Sequence, residues 1–244
     1  MFAMSRKLRW ISLILVVTAI VIVLIVLGLY WAVGYEPAYY RNALVGDPAA
    51  MEQASDRMLQ KTTALVSAVK KKGHWQVRFT TEQINGWLAV DRVRNHPKSL
   101  PPTLHDPRVV LDAHGITIAC RYRKDGLETV LSMTFEPYLH EPNVVALRII
   151  KARAGLLPAP LGPVIDHLSE AAEQLHFDLQ WRRDGADPVA LLSLPEGGNH
   201  RIPHIETLRL SNGELFVAGT TASKKQPEGQ AKKEGRGAGD EGRK

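Results

Sequence analysis

The chain has 244 residues, 45% of them hydrophobic, and a formal net charge of +6. Its one cysteine, Cys120, excludes an internal disulfide, so the fold is stapled by none. The basic surplus belongs to the ends: Arg6, Lys7 and Arg9, together with the tail from Lys224, hold 10 basic and 4 acidic residues and leave 21 of each sign between them. A neutral middle argues against nucleic acid as a partner, because such a binder carries its cations on the folded part.

Trp10 to Val33 is an uncharged apolar run. A helix needs about 20 such residues to cross a bilayer, and only a helix satisfies its own backbone there. Arg6, Lys7 and Arg9 precede the run and Glu36 is the first charge after it, which puts the N-terminus on the cytoplasmic side and the rest outside. Trp10 at one end, with Tyr30 and Trp31 at the other, suits the headgroup level. A cleaved signal peptide is the rival reading, with Ala32-Val33-Gly34 as its small residues, but its apolar core is normally only about 7–15 residues long. The organisation expected is a cytoplasmic flank 1–9, a transmembrane anchor 10–33, a linker 34–46, an extracytoplasmic domain 47–221, and a disordered Lys/Gly/Glu-rich tail 222–244. The location that follows is the inner or plasma membrane of a cell envelope.

Asp47-Pro48 suits a helix start, Asp as N-cap and Pro in the first turn. Met51, Ala54, Met58, Thr62, Leu65 and Val69 then form one stripe, closed by Lys70-Lys71-Lys72-Gly73. Trp75, Val77 and Phe79 alternate as in a strand, and Thr80 and Gln83 have capping-box spacing before a short helix through Ile84, Trp87 and Leu88. Residues 95–107, rich in Pro and His, are expected as a surface loop. A meander of four strands follows: Val109 and Leu111; Ile116 to Tyr122; Leu127 to Phe135; and Val145 to Ile149. Lys124-Asp125-Gly126 marks the central hairpin. Gly155 to Pro160 breaks the sheet. A second amphipathic helix then carries Leu161, Val164, Ile165, Leu168, Ala172 and Leu175. Further strands are expected at 177–181, 189–194, 205–210 and 215–218, the last two joined by Asn212-Gly213.

No known catalytic or nucleotide-binding motif occurs. His200 and His204 are four apart, but Pro203 and Gly197-Gly198 deny them a helix, so no metal site is assigned. Glu170 and Glu173 read as a solvated helix face rather than an acid–base pair, and Cys120 as a small buried hydrophobe. No catalytic residue and no cofactor is assigned, and the chain is not expected to be an enzyme.

Two segments carry a resemblance. In the first, Thr81, Glu82, Asn85 and Leu88 fill a Thr-Glu-x-x-Asn-x-x-Leu pattern, with Trp87 inside it. In the second, Gly155, Leu157, Pro158 and Pro160 fill Gly-x-Leu-Pro-x-Pro before a helix. With the anchor, these resemble the YpmS-like group of single-pass bacterial envelope proteins over roughly residues 10–180. The resemblance implies an α+β fold: a transmembrane helix, then a curved antiparallel sheet packed with amphipathic helices, similar in layout to tubular lipid-binding domains. The residues by themselves read structurally, as a helix cap at Thr80, a strand contact at Asn85 and a corner at Gly155. The function expected is a module that binds lipid or another hydrophobic ligand at the membrane. The alternatives are an envelope scaffold for a protein partner and, behind it, a hydrolase with an unrecognised site.

Overall fold

The computed structural model describes residues 6–141, 143–174, 178–185, 187–193 and 201–223. The expected tail beyond 223, His200, Leu175 and the strand positions Phe177 and Leu194 lie outside them, as do the side chains of Val164 and Leu168 in the second stripe.

Helix α1, Arg6–Val33, has 28 residues and is long and apolar enough to cross a membrane. Every side chain from Ile14 to Trp31 is exposed, so no core accounts for its hydrophobicity. The stretch 34–46, expected as a linker, instead contains helix α2, Ala38–Leu44. Its Tyr40 is fully buried against Ala119 and Val130, with Leu44 beside it. A seven-residue helix has too short an apolar pattern to read from spacing, and packing rather than propensity stabilises it.

Helix α3, Pro48–Val69, starts as its sequence dictates: the Asp47 carboxylate accepts from the Ala50 N–H at 3.0 Å. Strand β1, Gly73–Thr80, leads into α4, Thr81–Ala89, through a complete capping box between Thr80 and Gln83. Helix α5, Asp91–Asn95, follows. The loop expected over 95–107 is shorter, because strand β2, Leu104–Leu111, begins inside it. Local Pro and His content masked the start of a strand that pairs with the next one along the chain, Leu104 facing Tyr122.

Strands β3, Ile116–Lys124, β4, Leu127–Glu141, and β5, Val144–Ala154, complete the expected meander with β2. Asp125 and Gly126 both have positive φ, as the tight hairpin between β3 and β4 demands. A two-residue strand β6, Leu157–Pro158, pairs back onto β5 before helix α6, Leu161–Gln174. Strands β7, Asp178–Asp184, β8, Asp187–Ser193, β9, Arg201–Ser211, and β10, Glu214–Ser223, follow.

The fold is α+β with antiparallel sheets and an apolar N-terminal helix. Among the described residues the strands form two sheets rather than one. Seven strands pair in the order β2-β3-β4-β5-β8-β7, with β6 on β5, and three pair as β1-β10-β9. Residues 73 and 221 thus meet across the chain, a pairing that no local pattern announces. Bulges in β2 and β4 bend and twist the larger sheet.

Its two faces differ sharply. One face of β3 to β5 presents Arg121, Arg123, Glu128, Glu136, Arg148, Lys151 and Arg153, and receives α2 over Ala119 and Val130. At its far end Ala146, Val189 and Leu191 pack with Tyr138 and Val144. Beyond Lys124 and Leu127 at the hairpin tip, the other face is built from Ile116, Ile118, Cys120, Tyr122, Thr129, Leu131, Met133, Phe135, Ala152 and Ala154, without a charge among them.

Candidate functional site

The last turn of any helix leaves carbonyls without partners. Here the sheet supplies them. The Leu156 N–H donates to the Ala32 carbonyl at 2.8 Å, and the Thr129 hydroxyl donates to the Val33 carbonyl at 2.7 Å. Gly155 is the hinge of this joint. It has φ +59, its N–H donates to the Val130 carbonyl at 2.9 Å, and a Cβ there would run into the carbonyl oxygens of Ala32 and Val33. Only glycine combines that backbone conformation with that close approach. Glu36, just past the helix, pairs with Arg121 at 3.0 Å. Helix α1 therefore ends in a bonded joint with β4 and the β5–β6 turn.

The chain then climbs the sheet. Glu36 lies at Arg121, Tyr40 reaches the Asp106 carbonyl through its hydroxyl at 2.8 Å, and the Ala43 carbonyl accepts from Arg108 Nε at 3.0 Å. The path from Arg121 to Ala119 leads away from the β3–β4 hairpin. The hairpin end of the sheet is thus the end that meets α1.

The uncharged face starts at that end. Its cross-strand rows are Tyr122 with Thr129, Cys120 with Leu131 and Ala154, and Ile118 with Met133 and Ala152. Leu127 and Lys124 pair at its tip. From Leu127 to Phe135 the strip runs about 27 Å at the usual strand rise. Phe135 is buried at the far end, but Cys120, Tyr122, Leu131 and Met133 are only half-buried and Ile118 is 43% exposed. At the β7 side, Trp181 Nε1 donates to the Ser169 hydroxyl at 2.8 Å and so ties α6 to this face. Burial pushes the Cys120 thiol up to about 11, so at neutral pH it is an apolar lining group, not a nucleophile.

The sequence motifs fall at opposite ends of β3. Asn85 is buried on the free edge of β2, donating to the Val109 carbonyl and accepting its N–H, both at 2.8 Å. The Thr81 hydroxyl accepts the Leu111 N–H at 3.3 Å, two residues on. Gly213, in the β9–β10 turn, donates to the Leu111 carbonyl and accepts from the Thr81 N–H. Together these close an edge strand that would otherwise offer open donors and acceptors, and they join the two sheets. Glu82 is exposed, Trp87 lies 6.4 Å from the His96 ring, and the Leu88 carbonyl accepts from Arg92 Nε. In the second motif Gly155 forms the anchor joint, Leu157 and Pro158 form β6, and exposed Pro160 precedes α6. The strip carries no motif of its own, and its only sequence signal is an alternation shared with every half-buried strand.

A second concavity, of about 480 Å³, lies between α3 and the smaller sheet, lined by Lys61, Leu65, Ala68, Val77, Arg78 and Phe216. Its cations serve the fold. Lys61 Nζ donates to the Arg78 carbonyl and to Gln83 Oε1, and the Arg78 guanidinium lies over Phe216 beside Glu214. Among the described residues no three His, Cys, Asp or Glu side chains gather as a metal site, and Glu170 and Glu173 are exposed. His204 lies 3.4 Å from the Asn143 amide.

Comparison with models of protein families, with curated proteins and with solved structures finds no match to this chain.

Proposed function

We propose that this protein is a membrane-anchored, non-enzymatic module that takes a lipid acyl chain onto the uncharged face of its larger sheet. The observation that carries the reading is the continuity of that face with the anchor: the strip from Leu127 to Phe135 begins where α1 ends. Half-exposed apolar side chains in a continuous patch are a standing cost in water, which a hydrocarbon chain relieves at roughly 25 cal/mol per Å² covered. A lipid leaving the bilayer beside α1 would meet Leu127 and Tyr122 first, and its chain would follow Leu131, Cys120 and Ile118. The tubular-lipid-binding likeness supports this reading only as fold analogy. The cations before α1 favour a cytoplasmic N-terminus, which puts the domain outside the inner membrane. The likeness to the YpmS-like envelope group belongs to the same proposal and adds no mechanism to it.

The test uses the full chain in liposomes containing a phospholipid with a photoactivatable acyl chain. Irradiation followed by peptide mapping should place adducts on residues 116–135 as well as on α1, and Ile118→Asp with Met133→Asp should cut the former about tenfold while leaving the latter. Adducts confined to α1 in the unsubstituted chain would sink the proposal and favour the scaffold reading.

A further inference from the structure

We infer that the anchor end of the larger sheet is a membrane-docking surface: the tip of the β3–β4 hairpin at Leu127 and the β5–β6 turn at Leu156 sit in the headgroup layer of the bilayer that α1 crosses. This rests on α1 spanning a bilayer and is independent of whether the strip holds lipid.

The joint fixes the height of both tips. Leu156 donates its N–H to the Ala32 carbonyl, so the turn lies level with the last turn of the anchor, beside Trp31 and Tyr30. Those two rings are 80% and 73% exposed and belong at the membrane–water boundary. Leu156 is itself 48% exposed. Thr129 donates to the Val33 carbonyl, and the chain runs from there toward Arg121 and Ala119, away from the hairpin. Leu127 therefore lies on the bilayer side of Thr129, about 7 Å further at the usual strand rise, and is 45% exposed. Lys124, its cross-strand partner, is exposed at the same tip, and Arg153 is exposed two residues before Gly155. Two leucines flanked by cations on a rigid end are what an anionic interface takes up. A flexible tether would leave the domain free to tumble. Here four consecutive features, the two capped carbonyls, Gly155 and the Glu36–Arg121 pair, hold it at one height.

Depth measurement decides this on the full chain in phosphatidylcholine–phosphatidylglycerol vesicles. Nitroxides are placed singly at Leu127→Cys, Leu156→Cys, Leu24→Cys and Val45→Cys, in a Cys120→Ala background. Val45, 79% exposed and just past α2, reports the water side. Collisions with oxygen relative to a water-soluble nickel complex should be at least about threefold higher at 127 and 156 than at 45, and highest at 24. A label at 24 in lipid with labels at 127 and 156 matching 45 would overturn the docking surface alone. A label at 24 as wet as 45 would overturn the spanning helix on which it rests.

Discussion

Asn85 illustrates how much one side chain holds in place. Its amide satisfies both backbone groups of Val109 on an otherwise open strand edge, while buried at 7% exposure. Asn85→Ala leaves a donor and an acceptor unpaired, each costing about 1–3 kcal/mol, so the urea midpoint of the full chain in detergent should fall by the equivalent of about 2–6 kcal/mol. Tyr40 gives the fold a pH dependence. Desolvation by burial raises its hydroxyl from 10.0 to about 12, with Asp106 adding in the same direction. The folded state then holds this proton more tightly than the unfolded chain. The stabilisation is complete below pH 10 and is lost as pH rises through about 12. Cys120, raised from 9.0 to about 11, acts with the same sign over a lower window. Denaturant titrations across pH 9 to 12 should show stability falling, and Tyr40→Phe should flatten the decline above pH 10 while costing about 1 kcal/mol at neutral pH for the lost bond to Asp106.

Between elements, close approach outweighs propensity. Gly86 sits inside α4, where glycine costs about 1 kcal/mol relative to alanine. Yet a Cβ there would lie 2.7 Å from the Met51 carbonyl oxygen and 2.8 Å from Ala54 Cβ and the Ser55 nitrogen of α3. Overpacking against backbone costs about 1–3 kcal/mol, so Gly86→Ala should lower the unfolding midpoint although it improves the helix, and Gly86→Val should lower it further. Asn85-Gly86 reads in sequence as a weakness that shortens a helix. In the fold, one residue pins α4 to β2 and the other lets α3 touch α4. The caps, by contrast, were readable: Asp47 and the Thr80–Gln83 box act within four residues of the chain and depend on nothing distant. So were the hairpins at Asp125-Gly126 and Asn212-Gly213, where turn residues fix register.

At the scale of the whole molecule, α1 and the domain are bonded to each other. The joint at Gly155 makes them one body, and Gly155→Val should break it by driving a side chain into the Ala32 and Val33 carbonyls. Amide hydrogen exchange at Leu156 should then accelerate at least about tenfold, while the Val109 amide, at the other end of β3, keeps its protection. Equal acceleration at both would mean that the change unfolds the domain rather than freeing α1. The proposed lipid capture should fall with the joint, because the strip's entrance is then no longer held to the end of α1.

Much of this protein follows from sequence alone. The apolar run, the capped helices, the four-strand meander and the alternation that makes one face of β3 to β5 uncharged are properties of neighbouring residues, and local chemistry suffices for each. Tertiary structure decided the rest. It split the strands into two sheets by pairing β1 with β10, turned the supposed linker into a helix around buried Tyr40, and shortened the proline-rich loop. It also gave the two short motifs their work, one sealing a strand edge and the other seating the end of α1. Periodicity states which side chains share a face. It does not state what covers that face or what stands at its end, because both are supplied by segments far away in the chain, and here the last turn of α1 is bonded to the end of the face.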